Sequence, residues 1–289
     1  MKSSWIILVF FLIIASLNAY AFEVLTKVTG IEISEKGFEP SLVFLGSGEV
    51  AKLKPGENEM LQQLLSAKDH QLTLKLTMTD RREITRIELS DSKQNSSVLY
   101  SSVKSLNVET PTVLNSLKNA QKYFSGARYK HKESQCFNRA HIWSYEWKTQ
   151  NRINTSKMFI FFSVKYIREH DFQWWFHVAP YLHVVIGTDI KERIMDRKYL
   201  SGPGSTREWI DRLIVPGTQC RTIGKFSEYS NYPESGDCYL LRASMYIYWP
   251  LDLEMEELNG AKKNAWVPEE IEQAYSEALD IKIQDRNMQ

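Results

Sequence analysis

The sequence is poor in most of the features that mark an unusual chain. Its 289 residues include three cysteines, 13 glycines and 9 prolines, and 36 Lys+Arg stand against 35 Asp+Glu. Three cysteines are too few for a small scaffold framed by disulfides. Low Gly and Pro, with charged residues at an ordinary 25%, exclude a collagenous or disordered chain. A net charge of +1 gives no electrostatic case for nucleic acid or an anionic membrane as partner. No apolar run beyond the first two dozen residues is long enough to span a bilayer. What is present is 43% hydrophobic and 12% aromatic content, on a chain longer than one average domain. This predicts a globular protein of one large or two modest domains, with a core that needs no dense cross-linking.

The N-terminus predicts export. Lys2 precedes an apolar run from Trp5 to Leu17, and Ala19-Tyr20-Ala21 forms an A-x-A cleavage pattern. The run falls short of the roughly 20 residues of a membrane-spanning helix, so a removed secretory leader over 1–21 is preferred to a retained anchor. The mature protein is then secreted or periplasmic. In an oxidising compartment Cys220 and Cys238, 18 residues apart across Pro216-Gly217 and Ser235-Gly236, suit a disulfide. Such a loop closure stabilises by roughly 3 kcal/mol. Cys136 is left as a single thiol.

Two units follow. Residues 22–112 read as a small β-rich α+β unit and its linker: strands over 22–33 and 41–53, a helix over 58–67, and a hairpin of 71–78 with 83–89. It holds no cysteine and only His70, so it suits a docking or inhibitory pro-domain. Ser90–Ser105 and Glu109–Thr112 read as the linker. In 113–289 the pattern predicts helices over 113–124, 134–147, 207–215 and 268–279, and strands over 157–166, 174–186, 193–196 and 238–248.

The chemistry concentrates at Ser134-Gln135-Cys136. Ser134 suits a helix N-cap, which would put Cys136 in the first turn, where free N–H groups favour a thiolate and can hold an oxyanion. A base is then required. His141 lies about 140° around the helix from Cys136, His70 is in the other unit, and His131 and His170 sit in polar stretches. His177 and His183 remain; His183 reads as a structural strand histidine, and His177 follows two tryptophans that suit a dry cleft. Asp189 and Asp196 follow His177. Asp189 reads as a solvated turn acid after Gly187-Thr188, whereas Asp196 ends a strand returning beside the His177 strand. Cys, His and Asp in this order suit a thiol acyl-transfer site.

These residues resemble the bacterial protein-glutaminases, protein-glutamine deamidases with a transglutaminase-like or papain-like core. The likeness is carried by Cys136-Phe137-Asn138-Arg139-Ala140-His141, Phe176-His177-Val178-Ala179 and Ile194-Met195-Asp196, then Ser201-Gly202-Pro203 and Trp209. It covers residues 130–212 well and 239–253 loosely. The resemblance implies an α+β fold in which a helix bearing the cysteine packs on an antiparallel sheet, with Cys136 as nucleophile, His177 as base and acid, and Asp196 as orienter. It implies a protein or peptide substrate with an exposed glutamine and no cofactor. One departure is Arg197, where the family commonly has proline; it bears on the local turn and the charge of the cleft. Trp174, Trp175 and Phe176 are expected to line an apolar slot for the glutamine methylenes. No His/Cys cluster has zinc spacing. A transglutaminase or cysteine peptidase on the same three residues is the nearest alternative, although the papain signature around the cysteine is absent. A non-catalytic binding protein is the alternative from another class.

Overall fold

The computed structural model describes residues 21–90, 110–129, 134–231 and 236–280. The expected leader (but for Ala21) and the core of the expected linker, 91–109, lie outside the described residues.

The first unit is a five-stranded antiparallel sheet with one helix. Its elements are β1 (Ala21–Glu32), β2 (Ser41–Leu45), β3 (Val50–Leu53), α1 (Asn58–Asp69), β4 (Thr73–Thr79) and β5 (Ile84–Leu89), in the spatial order β3-β2-β1-β4-β5. Strict alternation along β4 (Leu74, Leu76 and Met78 buried; Thr73, Lys75 and Thr77 half-buried) sends one face inward, as period-two patterning dictates. That face meets Val28, Leu45 and, from α1, Leu64 to form a small core of its own. The hairpin expected at 71–89 is β4 with β5, paired from Leu74↔Leu89 to Met78↔Ile84.

The second unit comprises β6 (Val113–Leu114), α2 (Leu117–Gly126), α3 (Cys136–Asn151), β7 (Ser156–Phe162), α4 (Val164–His170), β8 (Phe176–Ile186), β9 (Asp189–Ile194), α5 (Thr206–Leu213), β10 (Cys220–Thr222), α6 (Phe226–Asn231), β11 (Cys238–Ser244), α7 (Pro250–Asn259) and α8 (Pro268–Leu279). Its six-stranded sheet runs β10-β11-β7-β8-β6, with β9 also paired to β8. Every residue of β7 is buried, which is why its sequence is a continuous apolar run with no alternation. Helix α3 is buried on nearly all sides, from Cys136 to Trp147.

The sheet departs from the expected wholly antiparallel one. β10 with β11 and β6 with β8 are parallel pairs at its edges. Four element boundaries also differ, each for a local reason. Val113–Leu114 pairs with His183–Val184 instead of opening a helix, and α2 starts only at Leu117, where the Ser116 side chain accepts from Asn119 N. The run 157–166 splits because the Ser163 side chain accepts from Tyr166 N at 3.0 Å and caps α4; a serine inside an apolar run is a cap signal. β9 begins at Asp189 and ends at Ile194, so Asp196 lies beyond it. β11 stops at Ser244, ahead of Pro250 at the start of α7.

Cys220 and Cys238 face one another in the β10/β11 register and form a disulfide. It pins a three-residue edge strand to β11, beside the short parallel ladder between them. Cys238→Ser should therefore lower thermal stability by about 2–4 kcal/mol, read as a fall in melting temperature that reducing agent reproduces in the parent protein. An unchanged melting temperature in both would show that β10 is held by other contacts.

The two units share packing. Leu42 and Val50 belong to the large core of the second unit rather than to that of the first. Val50 N donates to Gln173 O and Trp175 N to Gly48 O, and the Trp175 indole N–H donates to Leu45 O at 2.8 Å. Arg168 pairs with Glu32 and Glu39 at the edge of this contact. The loop between β2 and β3 thus continues the chain that leads into β8.

Candidate active site

Helix α3 opens at Cys136 itself. The N-cap is Gln135, which makes no side-chain cap bond. The expected cap, Ser134, is used otherwise: its hydroxyl accepts from Arg139 Nη1 at 3.1 Å. Cys136 remains in the first turn, 4% exposed, with the unpaired N–H groups of the helix start around it.

His177 is the second residue of β8, opposite Ile160 of β7. Strand alternation buries Phe176 and Val178 and turns the intervening imidazole toward α3. Asp196 is brought to it by the chain just beyond β9. Met195 N donates to Pro180 O, which ties that segment to β8, and Leu200 N closes a turn onto Asp196 O. His177 Nε2 and Asp196 Oδ2 are 2.6 Å apart. The same oxygen accepts the Trp209 indole N–H at 2.8 Å, and Oδ1 accepts Lys198 N at 3.2 Å. A 2% exposed carboxylate with three donors is fixed in place. With Nε2 engaged by Asp196, Nδ1 is the nitrogen left for the thiol, which lines the same cavity. The rings of Tyr199, edge-on at 5.0 Å, and Trp209 enclose the imidazole.

The electrostatics follow from that chain. Burial pushes the Cys136 thiol up, but the charge of His177, its hydrogen bond, the charge of Arg139 and the N–H of Val178 outweigh this and bring it below its ordinary value. Burial likewise favours neutral His177, yet the charges of Asp196 and Cys136 raise it from 6.5 to about 9. Asp196, despite burial, is held below the ordinary carboxyl range, chiefly by His177. The groups shift one another toward a thiolate–imidazolium pair backed by a carboxylate.

A cavity of about 160 Å³ opens on Cys136 and His177. One wall is apolar, made by Phe162, Phe172, Trp174 and Leu213; the other is polar, with Ser134, Arg139, Lys198 and Tyr199. Of the three aromatics expected to line the slot, only Trp174 does. Trp175 is bonded to Leu45 O, and Phe176 is fully buried against Phe137 and Phe159. Arg82 of the first unit lies over the Trp174 ring at 5.9 Å. Arg197 does not enter the cavity: its guanidinium donates to Ala127 O at the end of α2. His141 faces away from the thiol, with its Nδ1 2.8 Å from the buried Lys157 Nζ. Asp189 is exposed, and His183 lies in the β8/β9 ladder opposite Glu192. Phe162, Phe172 and Leu213 had no signal of their own in the sequence. Trp209 and Arg139 stood within the motifs that carry the resemblance, without a role.

Residues 112–213 match the glutaminase family model. This segment is glutaminase-like. It holds Cys136, His177, Asp196 and Trp209, and the chain's resemblance to the protein-glutaminases therefore stands on a match that spans all four. Two solved structures share the fold. A mutant of pro-protein-glutaminase is 15% identical, with a TM-score of 0.52 over 78% of this chain and 83% of that one. Pro-protein-glutaminase itself is 15% identical, with a TM-score of 0.50 over 79% and 84%. These shares of the chain exceed what residues 113–289 alone can supply, so the likeness of fold reaches into the first unit. No curated protein matches the sequence. Among the described residues no helix is long and apolar enough to cross a membrane.

Proposed function

We propose that this protein is an exported thiol hydrolase that deamidates glutamine side chains of proteins or peptides, on a papain/transglutaminase-like core. The observation that carries the reading is the convergence of Cys136 and His177 on one cavity, with the imidazole bonded to the buried Asp196 carboxylate, inside a glutaminase-like segment. The Cys136 thiolate attacks the γ-carboxamide carbon. The C–N bond breaks, and His177 gives its proton to the departing ammonia. Water, deprotonated by His177, then attacks the thioester and returns Cys136 with a glutamate product. Asp196 holds the imidazole in orientation throughout. Trp174, with Phe162, Phe172 and Leu213, offers the two glutamine methylenes an apolar wall, and the N–H of Cys136 is one oxyanion donor. Export is supported by the leader pattern and by the Cys220–Cys238 disulfide.

The test is ammonia release from casein by residues 22–289, beside Cys136→Ala. Ammonia that depends on Cys136, without chain cleavage or cross-links, is the expected result. New cleavage products or cross-linked chains in place of ammonia would move the protein to a peptidase or a transglutaminase. Binding without turnover would make it a binding protein.

Residues 22–112 are read as a pro-domain and its linker, and 113–289 as the catalytic domain. The support is the hold of the first unit on the chain leading into His177, and the likeness of fold to two structures named as pro-forms. Limited proteolysis between 90 and 112, followed by removal of the released unit, should raise the rate of ammonia release. Complete cleavage and removal with no rise would end the inhibitory reading.

A further inference from the structure

Arg139 is a buried charged side chain of the cavity that lies outside the triad. An arginine is charged at any working pH, and burying a charge is costly without partners. Arg139 is 2% exposed. Its Nη1 donates to the Ser134 hydroxyl, and its guanidinium lies over the Tyr129 ring at 6.0 Å. Among the described residues no carboxylate forms an ion pair with it. Its charge does reach the two anions of the site, the Cys136 thiolate and Asp196, and favours both.

The direction of the side chain is set by sequence and one bond. Three residues after Cys136, Arg139 shares its face of α3. Ser134 precedes Cys136 by two. A bond from Arg139 to Ser134 therefore requires the arginine to run back along the helix past the thiol, to the end where N–H groups are unpaired and the helix dipole is positive. Arg139 lines the cavity together with Ser134, and one of its five N–H donors is given to the Ser134 hydroxyl.

The reaction proposed above needs a donor at that place. Attack by sulfur turns the carboxamide oxygen into an oxyanion, and thioester hydrolysis does so again. His177 has no N–H to spare, since Nε2 serves Asp196 and Nδ1 serves sulfur and the leaving nitrogen. The N–H of Val178 favours the thiolate. Cys136 N–H is a single donor.

We propose that Arg139 is a further catalytic residue, whose guanidinium donates to the γ-carboxamide oxygen and bears its negative charge in both tetrahedral intermediates. No bond to Arg139 is made or broken; sulfur gains the carbon, ammonia leaves with the proton of His177, and Arg139 stays protonated. The inference rests on the deamidation reading.

The test uses the full chain with Arg139→Lys, Arg139→Met and Ser134→Ala, and two readouts. Alkylation of Cys136 by iodoacetamide across pH reports the thiolate without any substrate; ammonia release from casein reports kcat and KM. Arg139→Lys keeps the charge and loses the planar fork. It should leave the alkylation midpoint near that of the parent, keep KM within a few-fold, and lower kcat by roughly 10²–10³-fold, the usual effect of removing an oxyanion donor. Arg139→Met should lose kcat at least as severely and also shift the midpoint upward. If Arg139→Lys does not melt cooperatively, Ser134→Ala decides: it frees the guanidinium from its tether and should lower kcat by ~10-fold with alkylation unchanged. An Arg139→Lys kcat within a few-fold of the parent would overturn the proposal. So would a loss confined to KM, or one recovered by raising pH above a shifted midpoint, which would make Arg139 a counter-ion only. Silence of the parent chain, even after cleavage between 90 and 112 and removal of the released unit, would instead overturn the deamidation reading, and the donor role with it.

Discussion

Cys136→Ala is expected to lower ammonia release by at least ~10⁴-fold, as removal of a nucleophile does elsewhere, and to leave the fold intact. The thiol is 4% exposed but borders the cavity, so deleting one sulfur enlarges an existing space and opens no sealed void in the core. The stability loss should be ~1 kcal/mol or less, below that of larger core truncations. Cys136→Ser should be nearly as inactive as Cys136→Ala. A hydroxyl stays protonated where a thiol ionises, and His177 set against a carboxylate does not by itself make serine a comparable nucleophile. A second signature separates loss of chemistry from loss of structure. The thiolate is one of two anions that raise His177 to about 9, so removing it should lower the imidazole titration, followed by NMR, while Asp196 keeps it above that of an isolated buried histidine. Full activity in Cys136→Ala would dismiss the thiol mechanism outright.

The parts of this site that the sequence revealed are those whose cause is local. A cysteine at a helix start, a histidine in an apolar strand and an aspartate at the end of a returning strand each stand in or beside a short segment whose elements form from their own residues. The walls of the cavity were hidden because Phe162, Phe172, Trp174 and Leu213 come from four places in the chain and meet only in three dimensions. Trp174, Trp175 and Phe176 show how a tertiary contact overrides a local rule. Period two counted back from His177 puts Trp175 on the imidazole's face. Yet β8 starts only at Phe176, and the residue before it is turned by bonds from its N–H to Gly48 O and to its carbonyl from Phe162 N. Lys157 is another case. It opens an apolar run, yet it is fully buried, with its amine given to His141 and Ile247 O. Nothing within the segment 157–166 announces partners 16 residues before and 90 after. Serine was read both ways: Ser134, expected to cap, serves Arg139, while Ser163, unremarked in an apolar run, caps α4.

Asp196→Asn should reduce activity by about 10³–10⁴-fold while preserving shape, the range seen when a triad aspartate becomes its amide. Oδ2 serves both His177 Nε2 and the Trp209 indole, so an amide oxygen placed there turns the NH₂ group onto Lys198 N, and the reverse orientation sets NH₂ against Nε2 and the indole N–H together. Either way the negative charge that holds the imidazolium is lost. The pH dependence carries the sharper test. In the parent the ion pair exists from the lowered thiol value up to about 9 for His177, so activity should fall on the alkaline side near pH 9. Without the Asp196 charge, burial governs His177; its titration falls, the thiol rises, and the active window narrows from both sides. Stability should follow the same groups. His177 is raised in the fold, so its contribution is complete below its ordinary 6.5 and is lost as pH rises through about 9. Asp196 is lowered, so its contribution is present above its ordinary 3.8 and is lost as pH falls through its folded value. The two overlap between 3.8 and 6.5, where the parent should exceed Asp196→Asn in melting temperature by the largest margin, shrinking as pH rises from 6.5 toward 9. A margin that stays constant from pH 4 to 10 would mean that the carboxylate and the imidazole are not coupled, and the alkaline limb of activity would then need another owner.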